Sequence, residues 1–172
     1  MMPDRVFTDG GTIGKNPSRD GGSWAFVFTY GNVLIGEASG LIRPEMCGLP
    51  TVTCNVAELW AAVEAMESLP DGWHGEILTD SSITKGRICP FKKKPSYANV
   101  PPDLKARLLI AKARLGKFKA TLIAGHPTDA DLASGRSAEN GNPVSLWNVR
   151  CDLECQRITA GGAGRPFRPP DH

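Results

Sequence analysis

The sequence predicts an α/β domain in which one five-stranded mixed sheet, a three-strand antiparallel meander plus two further strands, is flanked by helices. Three observations predict it. The apolar segments 5–9, 23–30 and 33–41 follow one another closely, and the last two are joined by Gly31-Asn32, so they pair antiparallel. Two more short apolar segments, 76–80 and 118–124, alternate with amphipathic stretches in the manner of crossover-connected strands. The chain of 172 residues, 41% hydrophobic and 22% charged, is long enough to bury one core.

The first strand, residues 5–9, ends in Asp9 and is followed at once by Gly10 and Gly11. Glycines there permit either a sharp turn at positive φ or a close approach by another backbone or a phosphate. Residues 10–22, rich in glycine and containing Asn16-Pro17, read as a loop. Ser23–Tyr30 and Val33–Leu41 complete the meander, and 42–52 is a connection with Pro44, Gly48 and Pro50. Thr53 or Asn55 is placed to cap a helix reaching about Leu69. Its apolar positions Val56, Leu59, Trp60, Val63, Met66 and Leu69 fall at three- and four-residue spacings. Glu58 lies in its first turn.

Glu76–Asp80 is a fourth strand that, like the first, ends in a carboxylate. A short helix starts at Ser81 or Ser82 and stops before Pro90, and a lysine-rich loop follows. Pro101-Pro102 introduces a helix over about 103–115, built on Leu104, Leu108, Ile110 or Ala111, and Leu115. Phe118–Ala124 is the fifth strand, closing on Gly125-His126-Pro127. Residues 127–145 read as a long mobile loop, and 146–159 as a helix with Leu146, Val149, Leu153 and Ile158 apolar. A catalytic-type domain over residues 1–160 and a disordered tail over 161–172, rich in Gly and Pro, are expected.

Composition excludes some classes. No apolar run approaches the ~20 residues of a membrane span. Asp4 and Asp9 interrupt any basic-then-apolar leader pattern, which makes a cytoplasmic location the expectation. The five scattered cysteines suit reduced thiols. Cys151 and Cys155 stand one helical turn apart, but no second pair gives zinc-type spacing. Net charge is only +2, yet eleven basic residues from Lys85 to Lys119 face a single opposing Asp103. That segment can track phosphates, or it can be a solvated helical face with a lysine-rich loop.

Asp9 and Asp80 at strand ends, Glu58 in a first helical turn and Asp152 on the last helix can converge. In such sheets ligands gather beyond strand ends, near the topological switch point. Four carboxylates brought together repel one another, and a cation relieves that repulsion. All-oxygen donors suit a hard ion, Mg²⁺ or Mn²⁺. Two such ions ~3.5–4 Å apart clamp a scissile phosphodiester. Each carboxylate also has an ordinary use, capping a turn or favouring a helix N-terminus.

Five motifs occur in order: Thr8-Asp9-Gly10-Gly11 with Asn16-Pro17 and Gly21-Gly22; Thr53-Cys54-Asn55-Val56-Ala57-Glu58-Leu59; Leu78-Thr79-Asp80-Ser81; Gly125-His126; and Asn148-Val149-Arg150-Cys151-Asp152. With them the chain resembles a type 1 ribonuclease H over about residues 5–160. The resemblance implies a ribonuclease H-like fold and cleavage of the RNA strand of RNA–DNA hybrids, leaving 3′-hydroxyl and 5′-phosphate ends. It implies that Asp9, Glu58, Asp80 and Asp152 hold two Mg²⁺ ions, with Mn²⁺ as a substitute, and that the protein works as a monomer. It gives His126 a part in proton transfer or product release. Asn16 and Asn55 match contacts to the hybrid's minor groove, where amides meet base edges and 2′-hydroxyls. Thr53 matches a contact to a DNA-strand phosphate, and Gly10, Gly11, Cys54, Ser82, Lys92, Lys93 and Lys94 complete the substrate-facing set.

The chain departs from the family at several of these positions. Gly11 stands where serine is usual, Cys54 where asparagine is common, and Ser82 where glutamine is frequent. The proline-interrupted 90–100 segment replaces a basic helix, and the loop between His126 and Asp152 is longer. A DNA-cutting or junction-resolving relative, or a binding module without catalysis, is the alternative on the same fold.

Overall fold

The structure is a computed structural model, and it describes residues 1–167. Five strands, β1 (Arg5–Thr12), β2 (Gly22–Tyr30), β3 (Val33–Ile42), β4 (Gly75–Thr79) and β5 (Phe118–Leu122), form one sheet in the order β3-β2-β1-β4-β5. The β1–β2 and β2–β3 pairs are antiparallel, and the β1–β4 and β4–β5 pairs are parallel. The mixed sheet read from the sequence is the one observed.

Helices α1 (Cys54–Glu67), α2 (Ser82–Ile88) and α3 (Pro102–Arg114) share one face of the sheet, and α5 (Leu146–Thr159) covers the other. Strand alternation builds both layers. Val6, Phe26, Phe28 and Ile77 point to Leu59, Val63 and Met66 of α1, and Phe7, Ala25, Val27 and Leu78 point to Cys151 and Cys155 of α5. Thr53 caps α1, its hydroxyl accepting from the Val56 N–H at 3.2 Å. Such a cap contributes about 1 kcal/mol.

Four expectations are corrected. The chain does not turn after Asp9. β1 runs on to Thr12 through pairs Gly10↔Trp24 and Gly11↔Ser23, which shortens the expected 10–22 loop. The buried face of α5 is Asn148, Cys151, Cys155 and Ile158, whereas Leu146 and Leu153 face solvent. Cysteine behaves here as a small hydrophobe, and the thiols outcompete the larger leucines because the helix lies close to the sheet.

The expected mobile loop 127–145 contains a short helix, α4 (Asp129–Ser134). The Thr128 hydroxyl accepts from the Asp131 N–H at 3.1 Å, and Asp131 accepts from the Thr128 and Ala138 N–H groups at 3.0 and 2.8 Å. The Ala124 N–H donates to the Pro143 carbonyl at 2.9 Å and ties the two ends of the segment together.

Residues 161–167 of the expected disordered tail are docked. Arg165 and Ser39 exchange two backbone hydrogen bonds of 2.9 Å on the open edge of β3, and Phe167 packs 5.2 Å from the Phe28 ring. An unpaired strand edge and an aromatic anchor compensate for the entropy of ordering this segment. The rest of that tail, 168–172, lies outside the described residues. Among the described residues no helix is long and apolar enough to cross a membrane.

Candidate active site

The parallel register Thr8↔Thr79 sets Asp9 and Asp80 side by side, one residue beyond the last β1–β4 pair. Glu58 reaches the same place because the backbone of α1 packs directly on β1 at Gly10. A Cβ on Gly10 would stand 2.3 Å from the Ala57 carbonyl carbon and 2.6 Å from the Glu58 nitrogen. The glycine after Asp9 is therefore required for close approach and not for a turn. Gly125 does the same for Asp80, since a Cβ there would stand 2.6 Å from Asp80 Oδ2.

One oxygen each of Asp9, Glu58 and Asp80 lies within 4.8 Å of the other two. Burial, followed by repulsion from Asp80, pushes Asp9 up to about 8. Burial, followed by repulsion from Asp9 and Asp80, raises Glu58 well above the usual carboxylate range, and burial also raises Asp80. Glu58 Oε2 is buried without a hydrogen-bond partner. An acceptor left unpaired beside two more carboxylates is costly unless a proton or a cation is shared among them. The three form a group that can hold a hard cation. The cysteines of α5 are not ligands in waiting: burial pushes the Cys151 and Cys155 thiols up, and they donate to the Phe7 and Asp9 carbonyls at 3.5 Å.

Asp152 stands apart from this tight group but lines the same cavity of about 420 Å³, with Asp9, Gly10, Gly11, Cys54, Glu58, Asp80 and His126. Its Oδ2 lies 3.5 Å from His126 Nδ1 and accepts from Gln156 Nε2 at 2.9 Å. His126 is held in the left-handed region, φ 47°, with an exposed ring.

This fold has known counterparts. The chain superposes on the crystal structure of ribonuclease H1 from the halophilic archaeon Halobacterium salinarum with a TM-score of 0.61, 16% identity, and coverage of 91% of this chain and 96% of that one. It superposes on the N-terminal ribonuclease H domain of a Mycobacterium tuberculosis protein, solved as a maltose-binding-protein fusion, with a TM-score of 0.59, 13% identity, and coverage of 91% and 94%. The chain has the ribonuclease H fold. No protein-family model matches the sequence, and no curated protein matches it.

On this ribonuclease H fold the remaining sequence candidates lie around the cavity and do not line it. Asn16 Oδ1 accepts from the Cys54 N–H at 3.1 Å and pins the 13–21 loop to the start of α1. Thr53 is the α1 cap, and Asn55 is exposed in its first turn. Ser82 is the exposed first residue of α2, whose cap is Ser81. Lys92, Lys93 and Lys94 are exposed on a loop anchored by Arg87, which donates to the Ser96 and Ala98 carbonyls at 3.2 and 2.9 Å. Sequence reasoning missed Gln156, and it quoted Gly125 only as the residue before His126, without its packing against Asp80. Gln156 follows Asp152 by one helical turn, and that spacing was its only signal.

Proposed function

We propose that the chain is a metal-dependent endonuclease that hydrolyses the RNA strand of RNA–DNA hybrids, leaving 3′-hydroxyl and 5′-phosphate ends. The single observation that carries this reading is the Asp9–Glu58–Asp80 group with its unpartnered Glu58 oxygen, set at strand ends of a ribonuclease H fold. Asp9, Glu58 and Asp80 would hold one Mg²⁺, or Mn²⁺, and Asp9 with Asp152 a second. When bound, such ions activate water and stabilise the leaving oxygen of an in-line displacement. All-oxygen donors and protonated thiols fit these hard cations.

The chain's own groups do the rest. Water forms a bond to phosphorus as the bond to the 3′-oxygen breaks. The water's proton passes to bulk solvent through His126, which stands beside Asp152 on an exposed segment, and the 3′-oxygen takes a proton from solvent. Asn16, Thr53 and Asn55 at the start of α1 would face the hybrid's minor groove and a DNA-strand phosphate. Lys92, Lys93 and Lys94 would meet phosphates further along, and this contact weakens as salt rises. We assign the catalytic unit to residues 1–160, acting as a monomer.

The test is one labelled oligonucleotide offered as RNA–DNA hybrid, RNA duplex and DNA duplex, each with Mg²⁺, Mn²⁺ or chelator. Metal-dependent cutting of RNA in the hybrid alone is expected. Cutting of DNA would move the assignment to a resolvase-like enzyme, and binding without cutting would leave only a hybrid-binding module. A second check separates packing from chemistry. In Gly125→Ala the three atoms nearest the new methyl all belong to the Asp80 side chain, Oδ2 first at 2.6 Å. The side chain swings away cheaply, so the melting temperature should move little while cleavage falls about 100-fold. Equal activity would remove Asp80 from the site.

A further inference from the structure

We infer that Gln156 is a positioning residue for Asp152, an inference that rests on the proposed reading of Asp152 as a cation ligand. Asp152 is the one member of the carboxylate set outside the tight group, and a quarter of its side chain is exposed. Nothing in the sheet holds it. Asp9 is fixed by β1 and Asp80 is wedged against Gly125, whereas Asp152 projects from the middle of α5 into open cavity.

Among the described residues two donor groups approach its carboxylate, and both address the same oxygen. Gln156 Nε2 donates to Oδ2 at 2.9 Å, and His126 Nδ1 lies 3.5 Å from that oxygen. A carboxylate only accepts, so the Gln156 amide must present its NH₂ there and turn its own oxygen away. With Oδ2 occupied on the protein side, Oδ1 is left for a ligand. Gln156 also lines the cavity itself, together with Asp9 and Asp152.

The consequence is specific. A floppy ligand carboxylate must be ordered when a cation binds, and a partner that orders it beforehand removes that cost. As a mere surface pair on a helix, the Asp152–Gln156 contact would add slightly to stability and do nothing else. As a positioning contact it sets cation affinity.

The experiment compares Gln156→Leu, which lacks a donor, with Gln156→Asn, which keeps a neutral amide donor one carbon shorter. Two readouts are used: Mn²⁺ bound per chain, followed by electron paramagnetic resonance without substrate, and the Mg²⁺ concentration giving half-maximal hybrid cleavage. Gln156→Leu is expected to weaken Mn²⁺ binding and raise the Mg²⁺ requirement about 10-fold, with KM for the hybrid and the melting temperature unchanged. Gln156→Asn is expected to restore part of both. Mn²⁺ binding equal in the wild type and Gln156→Leu overturns the inference, as does an equal loss in both variants. If the wild type binds Mn²⁺ in a Gln156-dependent way but cuts no hybrid, the positioning role stands and the proposed substrate falls.

Discussion

Replacing Asp9 with Asn is expected to abolish hybrid cleavage and, in chelator near pH 8, to raise the melting temperature by about 2–8 °C. Both effects come from one charge. Asp9 is buried against Asp80 and Glu58, and it titrates at about 8 in the fold against an ordinary carboxylate value of 3.8. A carboxylate whose folded pKa is raised contributes its stability fully below the unfolded value. That contribution is lost as pH rises from about 4 through about 8, because the unfolded chain ionises freely and the folded one resists. Asn carries no titrating proton, so the variant should lose much of this slope. A relief of 1–2 kcal/mol, at roughly 2–4 °C per kcal/mol for a chain of this size, gives the shift stated.

A divalent cation reverses the sign. Binding displaces the shared protons, so stabilisation of the wild type by Mg²⁺ should grow between about pH 5.5 and about pH 8.5. In Asp9→Asn most of it should be absent, and turnover should fall about a thousandfold or more. Thermal melts at those two pH values, with and without Mg²⁺, check every part. A large fall in the melting temperature of Asp9→Asn would mean that the carboxylate holds the fold together, and the repulsive-cluster account would fail.

What the sequence made legible was whatever a period or a cap determines. Alternation put Phe7 and Asp9 on one face of β1, and the same alternation put Leu78 and Asp80 on one face of β4. The Thr53 cap fixed the start of α1, but Glu58 stands just past the first turn, one residue later than the sequence reading placed it. What stayed hidden depends on distances between elements. Gly10 carries two readings in sequence, a turn or a close approach, and only the crossing of α1 over β1 decides between them. The buried face of α5 uses two cysteines and an asparagine, which hydrophobic periodicity undervalues, so Leu146 and Leu153 drew the helix the wrong way round. Helix α4 is six residues long, too short for a period to register, although its Thr128-x-x-Asp131 cap is written in the chain. Gln156 is an ordinary surface glutamine until Asp152 is known to lack support from the sheet.

The sharpest structural prediction sets Gly10→Ala against Gly11→Ala, adjacent residues of the same strand with opposite surroundings. At Gly10 the new methyl would meet backbone, the Ala57 carbonyl group at 2.3–2.4 Å and the Glu58 nitrogen at 2.6 Å. Backbone cannot rotate aside, so the start of α1 must lift from β1. That motion opens the layer beneath Val56 and Ala57, both buried, and carries Glu58 away from Asp9 and Asp80. Overpacking of this kind costs about 3 kcal/mol, which lowers the melting temperature by roughly 6–12 °C. At Gly11 the nearest atom is Ser23 Oγ at 3.9 Å, ordinary contact distance, and φ is not positive. Alanine there removes the entropy cost of a strand glycine, so stability should hold or rise by up to about 1 kcal/mol. Cation binding separates the two further: Gly10→Ala should lose Mg²⁺-induced stabilisation because its three carboxylates no longer converge, while Gly11→Ala should keep it. Equal melting temperatures for the two variants would mean that α1 does not bear on β1 at Gly10, and the placement of Glu58 would have to be argued again from another contact.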